Sequence, residues 1–279
     1  MNKTLIGHEI PNFLFHKEMP NQEPYKYYFG HYPYILGHLL VKETPYYDED
    51  YANFYKQEIK ENGYSVMDNG LWELGDSIDY KVLYELGEEY KPSHLILPDC
   101  LNNKQVTMER TMKYLLEFEK KSTPKFMAVV QGQTLEELIQ MAKFYSAIDS
   151  IDVIAIPLYS LPQNSTTLEE VEEIEYKLHR TLVVPFLLPH LGGKKLHLLG
   201  CITPDEFLQY DIYTMRQVYS IDTSAPITYG LNHIVFDPDG VGNFSKPKEK
   251  IAEILHQEIT PEQIQIISHN VKMFKNFVK

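Results

Sequence analysis

Short apolar runs alternate with amphipathic helical segments from residue 60 onward, and this alternation constrains the fold more than any other feature. Strands that alternate with helices form a parallel sheet, because each intervening helix carries the chain back to the starting edge. The runs are apolar on both faces, as strands buried in a parallel sheet require. Six such strands are predicted, at 64–68, 94–99, 125–132, 152–158, 195–200 and 218–222.

Two architectures fit this order, an open doubly wound sheet and a closed (β/α)8 barrel. The first sixty residues can supply two more strands, the first within 3–10 or 12–16 and the second at 34–41. Eight strands would close a barrel, and 279 residues is about the usual length for that fold. No G-x-G-x-x-G or P-loop sequence follows a strand, which disfavours an open nucleotide-binding sheet. The predicted fold class is therefore α/β, a (β/α)8 TIM barrel.

The chain reads as one globular unit. We predict a single TIM-barrel domain over 1–279, with an irregular N-terminal segment at about 1–33 and C-terminal helices at about 247–278. No run approaches the ~18–20 apolar residues of a membrane span, and the N-terminus lacks the long apolar core of a signal peptide, so no membrane partner is expected. Cys100 and Cys201 do not make a disulfide framework and fit a reducing cytosol. The predicted location is cytoplasmic, or the host cytoplasm for a viral protein.

The charge balance bears on the class of partner. The formal net charge is −13, which argues against a general nucleic-acid binder, because phosphate contacts need lysine and arginine. Two local basic segments remain, at 190–197 and 244–250, and the favoured interpretation of both is a solvated loop. The 21 tyrosines can stack on bases or fill a core, so their number alone does not decide between these roles.

Four polar side chains stand at the ends of predicted strands: Asp68, Asp99, Gln131 and Asp222. Because the active site of a TIM barrel lies at the carboxyl ends of its strands, we expect these side chains to converge on one opening. Three carboxylates and one amide suit acid/base or nucleophilic chemistry on a polar, neutral heterocycle. A single aspartate after a strand is also commonly a turn former or a helix N-cap.

Other candidate sites have weaker support. Gly70, Gly132 and Gly200 are predicted turn glycines that could let a flat ligand approach the backbone. No H-x-H, H-E-x-x-H or C-x-x-C spacing indicates a metal, so no metal and no other cofactor is predicted. No G-x-S-x-G sequence indicates a serine nucleophile. Isolated histidines are interpreted as structural or surface residues, among them His94, His190, His197 and His233.

Five segments, taken in order, resemble motifs of the tRNA-guanine transglycosylase superfamily. The segments are VMDNGLWELG at 66–75, LPDC at 97–100 with TMERTMKYL at 107–115, MAVVQGQTLEELI at 127–139, HLLGCITPDEF at 197–207 and SIDTSAP at 220–226. The family's counterparts are Asp-Ser-Gly-Gly-Phe-Gln, a strand-end Asp with a Met-Glu-x-Thr helix, Val-Gln-Gly, Met-Gly-x-Gly-Thr-Pro-Glu-Asp and Phe-Asp-Cys-x-x-Pro.

The resemblance implies a pentosyltransferase that replaces guanine in a nucleic acid with a 7-deazaguanine (preQ0-like) base. It implies that Asp222 is the nucleophile of a covalent glycosyl-enzyme and that Asp68 is the general acid/base. Asp99 and Gln131 would read the edge of a base flipped into the pocket. The other substrate-binding positions that it implies are Asn69, Gly70, Cys100, Gly132, Pro157, Leu158 and Gly200.

Departures from the family pattern narrow the expected substrate. AIPLY at 155–159 stands in place of Val-Gly-Gly-Leu, and Leu71 stands in place of a second glycine. The zinc-binding C-x-C-x-x-C…His subdomain is absent from the sequence, which resembles the phage-type branch that modifies DNA. The predicted partners are therefore DNA, alternatively tRNA, and a 7-deazaguanine base, with a homodimer or accessory proteins as further candidates.

Two other functions stay open. The acidic charge and the AIPLY segment also suit a non-catalytic nucleic-acid-binding barrel subunit. An unrelated barrel enzyme, such as a glycosidase or a nucleoside hydrolase, would also use two carboxylates at the C1′ carbon of the sugar. It would release the base to water and would not exchange it for another base.

Overall fold

Eight parallel strands close into a barrel in which each strand pairs with the next along the chain and β8 pairs with β1. This arrangement confirms the predicted (β/α)8 TIM barrel. The computed structural model describes residues 4–8, 31–42, 44–61, 63–158, 179–202, 204–237, 254–255 and 257–278. The strands are β1 (Leu5–His8), β2 (Tyr32–Leu36), β3 (Val66–Asp68), β4 (His94–Ile96), β5 (Lys125–Val129), β6 (Ile151–Pro157), β7 (Lys195–Leu199) and β8 (Val218–Thr223).

From β2 onward, helices lie between successive strands and pack on the barrel. Short 3-10 helices occupy Gly37–Leu40, Leu188–His190 and Pro204–Leu208. Within the described ranges the α-helices are α1 (Glu49–Glu61), α2 (Leu71–Leu74), α3 (Tyr80–Tyr90), α4 (Lys104–Phe118), α5 (Leu135–Ser146), α6 (His179–Leu187), α7 (Ile212–Gln217), α8 (Ala225–Leu231) and α9 (Pro261–Phe277). Among these, no helix combines the length and apolar character that a membrane span needs.

Burial on both faces explains the apolar composition of the strands. All five residues of β2 are buried, and Asp152 is the one residue of β6 that is not. Packed helices cover the outer face of such strands, while side chains fill the barrel interior. A polar side chain in the interior therefore needs a hydrogen-bond partner there, because water cannot supply one.

Polar caps set the starts of several helices. The Thr134 hydroxyl accepts a hydrogen bond from the Glu137 N–H at 3.2 Å and starts α5. Thr260 makes a reciprocal capping box with Gln263 at the start of α9. Each cap is worth about 1 kcal/mol. The caps fix the helix positions, and so the loops that join them to the carboxyl ends of the strands.

Tyr32 spans the seam where the barrel closes. Its ring lies against Gly7 of β1, where a Cβ atom would stand 2.6 Å from the ring. Its hydroxyl donates a hydrogen bond to the Ile221 carbonyl of β8 at 2.9 Å. Gly7 is also the register partner of Asp222. The absence of a side chain at residue 7 is therefore what lets Tyr32 reach the strand that carries Asp222.

A charged network lies at the amino ends of the strands. Asp152 accepts hydrogen bonds from His94 Nε2 at 2.8 Å and from Lys195 Nζ at 3.0 Å. Burial lowers the pKa of His94, although the hydrogen bond to Asp152 opposes that change. Lys194 donates to the Ile148 carbonyl at 2.8 Å. Both lysines of the basic segment 190–197 are thus engaged at the barrel end opposite the strand-end aspartates.

A buried ion pair braces β6 and β7 from behind. The Arg180 guanidinium pairs with Glu206 through Nε at 2.8 Å and Nη2 at 2.7 Å. It also donates to the Ile156 carbonyl at 3.0 Å and the Leu199 carbonyl at 2.5 Å, while Nη2 lies 3.2 Å from Cys201 Sγ. The carbonyl contacts hold the carboxyl ends of two adjacent strands at a fixed spacing.

The strand predicted at 34–41 is wrong in its second half. β2 ends at Leu36, and the chain then turns into the 3-10 helix that begins at Gly37. A Cβ atom at Gly37 would stand 2.4 Å from the Asp68 carbonyl, so the close approach to β3 requires glycine there. The first strand lies within the predicted 3–10 segment, and the predictions at 12–16 and 244–250 fall outside the described residues.

Candidate active site

The predicted polar residues lie at the carboxyl ends of four strands, of which β3, β4 and β5 are adjacent and β8 is not. Asp68 is the last residue of β3, Asp99 follows β4, Gln131 follows β5 and Asp222 lies near the end of β8. Asp99, Gln131 and Asp222 are each at most 3% exposed, whereas Asp68 is partly exposed. Three carboxylates at the end of the barrel where active sites form make this the candidate site.

Asp68 is the carboxyl group most open to a ligand. Its Oδ1 accepts the Tyr34 hydroxyl at 3.2 Å, and its Oδ2 accepts the Gly70 N–H at 2.9 Å. Burial, helped by the nearby charges of Asp99 and Asp222, raises the pKa of Asp68 to about 7. The hydrogen bond from the Gly70 N–H acts in the opposite direction and lowers this pKa. A carboxyl group with that pKa holds or releases a proton near neutral pH, as a general acid does.

Asp99 is enclosed by two amide side chains. Asn69 Nδ2 donates to Oδ1 at 2.7 Å, and Gln131 Nε2 donates to Oδ2 at 2.8 Å. Burial raises the pKa of Asp99 to about 6, although both amides favour its charged form. The Gln131 side-chain oxygen accepts the Asn102 backbone N–H at 3.0 Å, so the Gln131 amide links Asp99 to the backbone of residue 102. Each Asp99 oxygen still has lone pairs for a donor on a ligand.

Arg110 braces Asp99 from the backbone side. Its Nη1 donates to the Asp99 carbonyl at 2.8 Å and pairs with Asp76. Ser77 donates to the same carbonyl at 2.8 Å and accepts the Asp99 N–H at 3.1 Å. Within the described ranges, no lysine or arginine hydrogen-bonds to a carboxylate oxygen of Asp68, Asp99 or Asp222. The site is therefore rich in hydrogen-bond acceptors and negative in charge.

Asp222 is held by a histidine and a backbone amide. Its Oδ1 lies 2.8 Å from His197 Nε2, and the Gly200 N–H reaches Oδ1 at 3.0 Å and Oδ2 at 3.1 Å. His197 Nδ1 lies 2.9 Å from the Ser220 hydroxyl. Gly200 has φ +72°, the left-handed conformation that favours glycine, and this conformation aims its N–H at Asp222. Two donors on one carboxylate stabilise negative charge there.

Tyr34 connects the two sides of the site. Its hydroxyl donates to Asp68, and its ring stacks parallel to the His197 imidazole, with 6.2 Å between ring centroids and 5° between planes. His197 in turn contacts Asp222. Asp68 and Asp222 are therefore joined through two ordered side chains that lie in the barrel interior.

The remaining predicted positions fall around this cluster. Asn69 donates to Asp99 and also to the Leu97 carbonyl at 2.8 Å, so it supports Asp99. Gly70 has φ +77°, which confirms the predicted turn, whereas Gly132 packs against Glu137 without a left-handed conformation. The substrate-contact roles of these residues stay predictions. That also holds for partly exposed Cys100 and for buried Pro157 and Leu158.

The interpretation of His197 as a structural or surface residue did not include a contact with the candidate site. The side chain is fully buried and contacts Asp222 directly. The sequence did carry a signal that His197 is buried, because it stands between two apolar residues of a predicted strand, Leu196 and Leu198, and both are buried. Tyr34, Arg180 and Glu206 were also missed, since nothing local to them predicts the strand or helix that they meet.

The described residues contain no group of three or more His, Cys, Asp and Glu side chains arranged to hold a metal ion. Cys100 and Cys201 are free thiols. Burial raises the pKa of the Cys201 thiol well above its ordinary value, although Arg180 opposes this. Within the described part of the chain, the acid/base groups of the site are therefore its carboxyl groups and the imidazole of His197.

No protein-family model and no curated protein sequence matches the chain. Solved structures with a similar fold include a variant of the citrate synthase SbnG, with 10% identity over 79% of this chain and 86% of that chain and a TM-score of 0.42. An HpcH/HpaI aldolase/citrate lyase family protein from Burkholderia cenocepacia has 8% identity, coverage of 83% and 92%, and a TM-score of 0.43. Macrophomate synthase has 8% identity, coverage of 80% and 78%, and a TM-score of 0.44.

These comparisons correct the predicted function. The similar structures are barrels named as synthase, aldolase or lyase proteins, and none of the three is a transglycosylase. The predicted guanine/7-deazaguanine base exchange, its pentosyltransferase class and its phage association are therefore withdrawn. At 8–10% identity the likeness describes the shared fold, so the chemistry has to be argued from the chain's own residues. The family resemblance and the DNA or tRNA partner stay untested predictions.

Proposed function

We propose that the chain is an enzyme that cleaves a glycosidic bond in a neutral, donor-rich small molecule by paired-carboxylate acid–base catalysis. The observation that carries the proposal is the contrast between two carboxyl groups of one site. Asp68 has a pKa raised to about 7 by burial, while Asp222 accepts hydrogen bonds from His197 and Gly200. Two carboxyl groups in such different environments suit one proton donor and one ionised partner.

The division of labour follows from those environments. Asp68 gives its proton to the oxygen or nitrogen atom that leaves, and the bond from that atom to the anomeric carbon breaks. Asp222 acts as a carboxylate on the opposite face of the same carbon. As a base it takes a proton from the attacking water, and as a nucleophile it first bonds to the carbon itself. The two routes are distinguished by the anomeric configuration of the product, inverted for the base and retained for the nucleophile.

The charge of the site limits the substrate class. Asp68, Asp99 and Asp222 offer carboxyl oxygens, and the described basic side chains nearby, Arg110 and Arg180, are bonded to Asp76 and Glu206. Sugar hydroxyls and the N–H groups of a heterocycle donate to such acceptors. Anionic substrates would meet repulsion without a compensating cation in this part of the site. Neutral glycosides and nucleosides are therefore the favoured class.

A substrate panel tests the proposal. The purified chain is incubated with a set of 4-nitrophenyl glycosides and with unmodified purine and pyrimidine nucleosides, and released nitrophenol or base is measured. Cleavage of at least one compound is expected, and Asp68→Asn and Asp222→Asn should each lower kcat by about 10²–10⁴-fold. Asp149→Asn alters an exposed carboxylate outside the site and is the matched control.

Two results would reject the proposal. One is full activity of both Asp68→Asn and Asp222→Asn on a compound that the wild type cleaves. The other is no cleavage of any glycoside or nucleoside on the panel. Carbon–carbon cleavage of a β-hydroxy carbonyl compound would instead place the site in the lyase class, a word that the name of one similar solved structure contains.

A further inference from the structure

We propose that His197, oriented by Ser220, is a positioning residue that fixes Asp222 by its Oδ1 atom and leaves Oδ2 as the oxygen that meets the substrate. This inference rests on the proposed function for the role of Asp222. It goes further by naming the reacting atom and the two residues that select it. Neither residue is expected to touch the substrate.

The two oxygens of Asp222 have unequal partners. Oδ1 accepts from His197 Nε2 at 2.8 Å and from the Gly200 N–H at 3.0 Å. Among the described residues, Oδ2 has one contact, the shared Gly200 N–H at 3.1 Å. An oxygen that already accepts two donors is a poorer base and nucleophile than one that shares a single donor. The less engaged Oδ2 is therefore the reactive atom.

Asp222 determines which nitrogen of His197 carries the proton, and Ser220 supplies the matching partner on the other nitrogen. The Ser220 hydroxyl lies 2.9 Å from Nδ1, and the carboxylate lies 2.8 Å from Nε2. A carboxylate can only accept, so a neutral imidazole must carry its proton on Nε2. Nδ1 is then an acceptor, and the Ser220 hydroxyl donates to it. This arrangement is consistent, since the Ser220 hydroxyl, both His197 nitrogens and Asp222 Oδ1 each meet a matching donor or acceptor.

The surroundings of His197 prevent it from turning. His197 and Ser220 are register partners on the adjacent strands β7 and β8, so backbone hydrogen bonds fix both. The His197 side chain is fully buried, and the Tyr34 ring lies parallel to it. A group held by strands is more precise than one held by a loop. The imidazole therefore acts as a rigid stop against rotation of the Asp222 carboxylate.

Variants at both positions test this inference on the glycoside or nucleoside that the wild type cleaves. Ser220→Ala should lower kcat by about 10-fold and His197→Leu by about 100-fold, with KM changed less than about 2-fold, because an orienting contact matters most in the transition state. Ser268→Ala removes a serine hydroxyl that, within the described ranges, bonds to the Ile264 carbonyl of α9, and it should leave kcat unchanged. Unchanged kcat in both Ser220→Ala and His197→Leu would overturn the inference.

A measurement without a substrate separates this inference from the proposed function. Imidazole nitrogen NMR at about pH 8 should show His197 with its proton on Nε2 in the wild type, and Ser220→Ala should shift the Nδ1 resonance, because that nitrogen loses its hydrogen-bond donor. A wild-type proton on Nδ1 would overturn the inference even if glycosides are cleaved. If the protein shows the expected tautomer but cleaves nothing on the panel, the proposed function is rejected and this inference is not. If His197→Leu fails to fold, Ser220→Ala still tests the inference.

Discussion

The hydroxyl of Tyr34 donates a hydrogen bond to Oδ1 of Asp68 across 3.2 Å, from one strand of the barrel to the next. Tyr34 is the middle residue of β2 and Asp68 is the last residue of β3, and the Tyr34 ring also stacks on His197. A single aromatic residue therefore influences the proton donor by its hydroxyl and the support of Asp222 by its ring. Removal of the hydroxyl alone separates these two effects.

Tyr34→Phe should shift the alkaline limb of the activity profile upward. Activity needs protonated Asp68, so it should fall as the pH rises through about 7. The Tyr34 hydroxyl favours the charged form and lowers the pKa of Asp68, so its loss should raise that limb by up to about one pH unit. The profile of kcat/KM against pH measures the shift, with Tyr90→Phe as the control, and a downward shift would contradict the assignment of Asp68 as the acid.

Asp68→Asn should stabilise the fold at alkaline pH while it removes activity. The folded pKa of about 7 exceeds the ordinary value of 3.8, so between these values the folded state keeps a proton that the unfolded state loses. The free energy of unfolding therefore falls as the pH rises through that window. Above the window, the full cost of ionising buried Asp68 lowers the stability of the fold. The variant should exceed the wild type in unfolding free energy by on the order of 1 kcal/mol at about pH 8 and match it at about pH 4.

Chemical denaturation at the two pH values tests this prediction, with Asp149→Asn as the control. Equal or lower stability of Asp68→Asn at about pH 8 would show that ionised Asp68 carries no folding cost.

Gly200→Ala should impair activity more than its effect on folding explains. Residue 200 has φ +72° and residue 193 has φ +82°, and an added Cβ would meet nothing within 4 Å at either position. Both alanine variants should therefore lose a similar stability, about 1 kcal/mol, from the left-handed conformation. Gly200→Ala alone should lower kcat, because a shift of residue 200 away from the left-handed conformation would move the N–H that holds Asp222. An equal loss of kcat in Gly193→Ala would reject that explanation.

Arg180→Leu should destabilise the chain strongly. It leaves the Glu206 carboxylate buried without its partner, which costs about 3–5 kcal/mol. The double variant Arg180→Leu/Glu206→Leu should lose less than the single one, because no charge is then left unpaired. Lys56→Ala breaks the exposed pair with Glu89 and should cost less than about 1 kcal/mol in the same denaturation experiment. A double variant less stable than Arg180→Leu would contradict this account.

The strand pattern and the strand-end aspartates were predictable because both are local properties of the chain. An apolar run that ends at Asp68, Asp99 or Asp222 predicts a strand with a polar residue at its carboxyl end, and this prediction needs no knowledge of the rest of the fold. Helix starts at Thr134 and Thr260 were equally local, since a cap and its partner lie three residues apart.

The contacts that define the site could not be predicted in this way. His197 meets Asp222 across 25 residues, Tyr34 meets Asp68 across 34, and Arg180 meets Glu206 across 26. Each pairing depends on the register of strands or on the packing of a helix, which periodicity does not encode. The function predicted from a family resemblance failed for a related reason, because similar strand-end motifs do not specify the chemistry of a barrel.

The Tyr32–Gly7 contact at the closing seam has a consequence for how this barrel could evolve. Any side chain at residue 7 would collide with the Tyr32 ring, and a smaller residue at 32 would lose the bond to the Ile221 carbonyl beside Asp222. The two positions are therefore epistatic, and neither can change alone without disturbing the strand that carries Asp222. Residue 7 therefore cannot contribute a new side chain beside this carboxylate, whereas loops, which carry binding residues in many folds, are free of this constraint.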